Sequence, residues 1–536
     1  MKRVHGAAAG AVLVACVGVN GSAQTAVAGG STREAAASAS APVSFSDVTN
    51  TAGVGTRSNL PGGLASGSAW RDFDGDGRPD LFVGNHYDTP VLFKNVGGGK
   101  FTNATSKVMV RPNNVPGKYW GDQHGAAWGD VDENGKPDLL VLVGAQEGKG
   151  GAPNQLYLNI GGKLVNHAKD YGIEYRESRG RTPLWIDYNN DGHLDMFQGA
   201  KKRDDGLGPP TMFRGTGTKF TDVRDQVNFR PTQTVGGWAS DINRDGRLEL
   251  LYQGDRLSAP AAPFKTRVNI IDTRGATFRD ATPRSFRGSL SDLAVADYDR
   301  DLRPDIFFCN SWLSASHPYG HDLYLNKAGG MVRVSGTALA DINKNHRSCR
   351  PSAIAADFDN DMDVDIFADA GHGGALNRGG GDLPNFILWN RGNGTFEADG
   401  SAGGATGRLT GWPDSASAAD YDGDGFIDIY LTYSQALSQL YRNRGNSNSW
   451  LEINLRGTRS NRDGIGAQVY VTAGGVTQLR EQNGGMHRYW SQDDQRLHFG
   501  LGSNRTASQV TVKWPSGKVQ KLSNVTGNRV IQVTEP

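Results

Sequence analysis

The chain has 536 residues, with 57 Lys and Arg against 56 Asp and Glu, for a net charge of +1. That balance excludes nucleic-acid binding by bulk electrostatics, and 11 Trp, 16 Tyr and 20 Phe exclude a disordered polyelectrolyte. Glycine, at 73 residues, stands at roughly twice its ordinary usage without a G-X-Y period, so collagen is excluded and short strands with tight turns are expected.

Lys2 and Arg3 precede an apolar run over 6–19, too short to span a bilayer, and Ala26-Val27-Ala28 offers a small-x-small cleavage site. Residues 1–28 are therefore expected to be a secretory signal peptide, and 29–44, rich in Ala and Ser, a flexible leader. Leu13-Val14-Ala15-Cys16 also resembles a lipobox, so a lipid anchor on Cys16 is the alternative; the apolar Val17 after it favours ordinary cleavage and a secreted protein. No other stretch reaches 18 apolar residues, so no transmembrane segment is expected.

From residue 72 onward one pattern recurs seven times: Asp, an apolar residue, Asp or Asn, any residue, Asp or Asn, usually Gly, two residues, then Asp or Glu. The starts are spaced 58, 57, 54, 56, 60 and 63 residues apart, the mark of a repeat architecture. Positions one, three, five and nine of the segments carry side-chain oxygens. In the first three repeats these are Asp72, Asp74, Asp76, Asp80; Asp130, Asp132, Asn134, Asp138; and Asp187, Asn189, Asp191, Asp195. The fourth and fifth carry Asp241, Asn243, Asp245, Glu249 and Asp297, Asp299, Asp301, Asp305. The last two carry Asp357, Asp359, Asp361, Asp365 and Asp420, Asp422, Asp424, Asp428. Three of the 28 are Asn, leaving 25 acids.

Such a donor set suits a hard cation. Calcium takes six to eight oxygens at about 2.3–2.6 Å, whereas magnesium demands a stricter octahedron and zinc prefers Cys or His. Glycine at position six permits the tight curl that would bring these oxygens together. Leu302 and Met362 replace it in the fifth and sixth repeats, where a Cβ is expected to strain the curl. An EF-hand opens in the same way but needs Glu at position twelve, where these segments have Val83, Val141, Gln198, Tyr252, Phe308, Ala368 and Leu431. The runs that follow (LFVGN, LLVLVG, IFFCN, IFADA, IYLTY) have the β-branched and aromatic content of strands, so each loop is expected to join two strands.

A third strand follows in VLFKN, QLYLN, DLYLN, FILWN and QLYRN, and a fourth begins near Phe101, Phe220, Phe278 and Phe396. Four strands per repeat is the arithmetic of a propeller blade. The last repeat lacks its fourth strand, and Phe45-Ser46-Asp47 supplies the missing copy, so the N-terminal strand is expected to close the ring and remove its open edge. The predicted fold is all-β: a seven-bladed propeller over 45–447 followed by a small all-β domain over 448–536.

These segments resemble FG-GAP/VCBS repeats of the integrin-α type. WLEINLRGTRSNRDGIGAQV, HFGLG and VTVKWPSG further on resemble the ASPIC/UnbV domain that follows such a propeller in the cartilage acidic protein family. The resemblance implies secretion, calcium in the loops and an extracellular interaction role; it implies no reaction.

If the Asp-rich loops share one face, the connections between second and third strands, and those between blades, share the other. His86, Asp122, His124, Arg179, Arg181, His317, His321 and His372 are expected on that second face as a possible ligand surface. Cys309 and Cys349 fall there on adjacent blades, which favours a disulfide over two buried thiols. No GxSxG, HExxH or P-loop occurs, so catalytic residues are unassigned. Two functional classes follow. The first is a secreted, monomeric, calcium-binding module for an extracellular protein or glycan. The alternative is a secreted enzyme (lyase, dehydratase or cyclase) acting on a polysaccharide or small-molecule natural product through the His and Arg residues.

Overall fold

Each repeat folds into one antiparallel sheet whose strands follow chain order. The computed structural model describes residues 42–536 apart from 57–64, 87, 113–119, 145–152, 255–266, 287–289, 311–320, 335–351, 371–383, 408–411, 435 and 487–489. Residues 1–41, and with them the expected signal peptide, Cys16 and nearly all of the leader, lie outside the described residues, as do His317, Cys349 and His372.

The first sheet runs Ala65–Arg71, Asp80–Asn85, Val91–Gly97 and Lys100–Asn103. Seven four-stranded sheets of this kind occur among the described residues of the repeat region. In the last, Phe45–Asp47 pairs with Gln439–Asn443, placing Phe45 opposite Asn443 and Asp47 opposite Tyr441. The inner strands touch in a closed cycle: Ala65–Arg71 packs on Gln123–Gly129, and the order continues through Gly180–Ile186, Thr234–Ser240, Leu290–Ala296, Ala353–Ala356 and Trp412–Ala419 back to the start. The fold is a β-propeller.

Burial follows from that stacking. Second strands such as Asp138–Val143 are buried along their whole length, because each lies in mid-sheet and the sheet is covered on both faces. The fourth strands reach solvent, and Lys100–Asn103 buries only Phe101. Tryptophans at the loop ends of the inner strands wedge neighbouring sheets together. Trp128 Nε1 donates to Ala69 O at 3.2 Å, and Trp185 Nε1 to Ala127 O at 3.3 Å.

Residues 449–534 form two further sheets. Ser449–Arg456 pairs antiparallel with Leu497–Gly502 and parallel with Val530–Thr534. Gln468–Ala473 lies between Val476–Glu481 and Thr506–Lys513, with Val519–Thr526 outermost. Leu451, Ile453, Val469, Val471, Phe499, Val510 and Val512 fill the space between these sheets. Residues 482–486 and 490–496 lie outside these sheets and run along the inner strands of the propeller. Gln492 N donates to Ser68 O at 2.8 Å, Trp128 N to Gln492 Oε1 at 2.7 Å, and Asp494 N to Ala418 O at 2.9 Å.

Candidate metal loops and ligand face

Each Asp-rich segment is the hairpin between an inner strand and the second strand, which begins at position nine. In the first loop, Asp72 Oδ1 accepts the N–H groups of Gly75 and Asp76 at 2.8 and 3.0 Å, and Oδ2 accepts that of Gly77 at 2.8 Å. The curl needs left-handed backbone at position six in every repeat, glycine or not: φ is +86° at Gly77, +62° at Leu302 and +81° at Met362. The expected strain at Leu302 and Met362 therefore has its backbone basis in the structure.

One ligand atom from each of Asp72, Asp74 and Asp80 lies within 4.8 Å of the others, and the same holds for Asp130, Asp132 and Asp138, for Asp297, Asp299 and Asp305, and for Asp357, Asp359 and Asp361. Burial pushes the Asp80 carboxyl up to about 8 and that of Asp195 to about 9, even though backbone N–H groups oppose the shift. Asp130 Oδ1, Asp299 Oδ1 and Asp422 Oδ1 are buried without a hydrogen-bond partner. Converging, desolvated carboxylates with unengaged oxygens are a donor set that fits a hard divalent cation. Basic side chains offset part of the charge at the rim, where Lys94 contacts Asp74 and Arg442 contacts Asp422 at 2.6 Å and Asp424 at 2.9 Å.

The C-terminal sheets cover the loop side of the ring. Asp463 accepts the Asp130 N–H at 2.8 Å and pairs with Arg71. Glu481 accepts the Asp241 N–H at 3.0 Å, and Gln468 Nε2 donates to Asp241 Oδ2 at 2.9 Å. His498 Nε2 lies 3.1 Å from Gly425 O, where a Cβ on Gly425 would fall 1.8 Å from Trp450 Nε1. The loops are thus also a docking surface.

At the other ends of the inner strands stands a second cluster. Trp490 has φ +75° and places its ring 4.8 Å from His124 and 6.4 Å from His86. The pairing of Gln123–Gly129 with Asp138–Val143 slips between Gln123 and Ala126, a bulge that contains His124. His86 Nδ1 lies 2.7 Å from Asp122 Oδ1, and His124 Nε2 lies 3.6 Å from Asp122 Oδ2. Burial alone would raise the Asp122 carboxyl, but the imidazoles of His124 and His86 outweigh it and hold the group well below the usual range. Burial, helped by the Arg181 guanidinium, pushes His124 well below an ordinary imidazole.

The remaining candidates divide. Arg181 is buried beside His124 and donates to Gly180 O at 2.7 Å, and half-buried Arg179 reaches Lys202 O at 3.3 Å. His321 lies in the core at 1% exposure, accepting the Asn310 N–H and packing near Phe307 and Phe386. Cys309 is fully buried. Trp490 was not foreseen, because nothing in the sequence links residue 490 to residue 124.

Residues 457–536 match the ASPIC and UnbV family model, and 72–141 and 357–431 match that of the FG-GAP-like repeat. The chain is 32% identical to cartilage acidic protein 1 of Mus musculus over 530 residues, covering 92% of this chain and 77% of that protein. The chain belongs to the cartilage acidic protein family. The relative of that name from Xenopus tropicalis is 26% identical over 525 residues, again 92% and 77% of the two chains. Among solved structures, an exotype rhamnogalacturonan lyase aligns with TM-score 0.38 and 13% identity over 72% of this chain and 74% of its own. The Dos1 propeller aligns with TM-score 0.37 and 9% identity over 90% and 98%. Membership in the cartilage acidic protein family rests on sequence, and the propeller on strand pairing. No helix among the described residues is long and apolar enough to cross a membrane.

Proposed function

We propose that the protein is a secreted, calcium-stabilised, seven-bladed propeller that acts as an extracellular binding module, with its ligand site at the channel mouth opposite the Asp-rich loops. The observation that carries this reading is the approach of Trp490 to within 4.8 Å of His124, which brings the two parts of the chain together at one polar, half-enclosed cluster. Calcium in the loops fits the donor set, and the C-terminal sheets dock over the loops, so the polar cluster at the opposite ends of the inner strands is the face they leave uncovered. Arg179 and Arg181 suit a carboxylate, as on an acidic glycan or an acidic protein segment. The signal peptide over 1–28, the domain division near 447, a Cys309–Cys349 disulfide and a monomeric state belong to the same reading.

The test is a binding screen of acidic oligosaccharides and acidic peptides against the calcium-saturated full chain. Arg179→Gln and Trp490→Ala are expected to weaken a binder found in this way at least tenfold, and Arg179→Gln to leave the melt unchanged. Affinity unaltered in both variants would contradict the site.

A second reading has one observation in its favour, the 2.7 Å approach of His86 to Asp122. A carboxylate beside an imidazole supplies the two groups of a general base, which would suit a lyase, dehydratase or cyclase once substrate brings them into line. Conversion of a screened ligand that His86→Gln abolishes without altering affinity would favour the enzyme.

A further inference from the structure

We propose that His86, Asp122 and His124 bind one divalent transition-metal ion of the zinc class at this mouth, in a site separate from the oxygen-only loops; the inference rests on the reading of the mouth as the ligand face.

The donors differ in kind from those of the loops. Two imidazoles and a carboxylate suit zinc and its neighbours, whereas calcium takes oxygen ligands. The spacing suits a single ion as well. One ligand atom from each residue lies within 4.8 Å of the other two; His86 Nδ1 is 2.7 Å from Asp122 Oδ1, and His124 Nε2 is 3.6 Å from the other carboxylate oxygen, Oδ2. Tetrahedral ligands about 2.1 Å from zinc stand about 3.4 Å apart, so small side-chain rotations suffice.

A second observation points the same way. His124 is 2% exposed, and neither of its ring nitrogens has a hydrogen-bond partner; nor does the buried Oδ1 of Asp122 find one of acceptable geometry, despite its closeness to His86. A metal ion would engage a nitrogen and an oxygen that are otherwise buried and unengaged.

The scaffold fixes the three residues before any ion arrives. Asp122 O accepts the Gly144 N–H at 2.7 Å, His86 and Asp122 form an isolated antiparallel bridge, and a Cβ on Gly144 would strike His124 Nε2 at 2.4 Å. Three protein ligands leave a position open, as in zinc sites that take up an exogenous group. The ion and Arg181 together would make that position attractive to a carboxylate of the bound ligand.

The experiment uses the full chain with its loops saturated by calcium, titrated with Co2+ as a spectroscopic probe and with Zn2+ by calorimetry. The expected result is one equivalent bound in excess calcium, with the visible absorption of Co2+ in a low-coordinate nitrogen and oxygen site. His86→Gln and Asp122→Asn each weaken Co2+ binding at least tenfold and abolish the absorption, while melting in calcium is unchanged. His124→Gln is a third variant, informative only if its melt is also unchanged. No absorption, or absorption that survives His86→Gln and Asp122→Asn, overturns the proposal. Screening ligands against metal-free protein separates the two readings: binding that persists there without a Co2+ signal removes the metal and leaves the ligand face.

Discussion

Asn95 N donates to Asp80 Oδ1 at 2.7 Å, while the Asn95 side-chain amide donates to Tyr421 O, also at 2.7 Å. Asp80 ends the first Asp-rich loop and Tyr421 lies in the last, so one residue ties a loop to its own third strand and to the neighbouring sheet. The device recurs. Asn159 bonds Asp138 and Phe73 O, Asn326 bonds Asp305 and Ile242 O, Asn390 bonds Asp365 and Tyr298 O, and Asn443 bonds Asp428 and Phe358 O. Position nine is therefore a structural clamp as well as a candidate ligand, and five pairs of neighbouring sheets are latched in this way on the loop side.

Asn159→Ala removes a buried amide donor and leaves Phe73 O without it. The expected cost is about 1–3 kcal/mol, read as a lower denaturant midpoint in calcium. An unchanged midpoint would mean that the latch contributes nothing.

Leu302 holds a left-handed backbone, φ +62°, that glycine occupies without strain. Leu302→Gly is expected to stabilise the folded chain by about 1 kcal/mol, and the converse Gly77→Ala to destabilise it by a similar amount. The second change isolates the backbone effect, since a Cβ on Gly77 meets nothing within 4 Å. Melting curves of both variants check the pair.

Asp463 is 3% exposed and joins the Arg71 guanidinium to the Asp130 N–H. Asp463→Ala leaves the half-buried Arg71 guanidinium with Gln495 Oε1 alone and the Asp130 N–H without its acceptor, at an expected cost of about 1–3 kcal/mol. Limited proteolysis should then release the C-terminal sheets sooner than in the parent chain; equal rates would count against docking through this pair.

Glu535 accepts hydrogen bonds from the N–H groups of Thr458, Arg459 and Ser460 and from the Ser516 hydroxyl. Burial would raise its carboxyl, but the Ser516 hydroxyl and those N–H groups hold it down at about 2, against 4.5 for an ordinary glutamate. A depressed acid stabilises the fold above its unfolded pKa and loses that contribution as pH falls through the folded value. Unfolding measured from pH 5 to 2 should show the loss in the parent chain, and Glu535→Gln should be less stable at pH 7 and flatter over that window.

Much of this structure can be read in the sequence, for physical reasons. Left-handed turns, paired carboxylates and alternating apolar strands are local demands, and they repeat, so Asp72 or Phe45 announces its role within a few residues. Even the latch left a trace, in the Asn that ends VLFKN and QLYRN, although its partner lies in another sheet. Contacts between distant segments leave no such trace. His321 stands in a polar stretch but turns into the core beneath Phe386, and Trp490 meets His124 only because a segment near the C-terminus runs along the inner strands. Neither packing has a period or a spacing to betray it.

Calcium in the Asp-rich loops is expected to hold the ring and its docked C-terminal sheets together. The direct measurement is elemental analysis of the purified full chain, paired with its melting temperature before and after exhaustive EDTA treatment and after calcium is restored. Several calcium ions per chain, a substantially lower melt in EDTA and recovery on adding calcium are expected. A chain that carries no calcium and melts at the same temperature in EDTA would contradict that expectation.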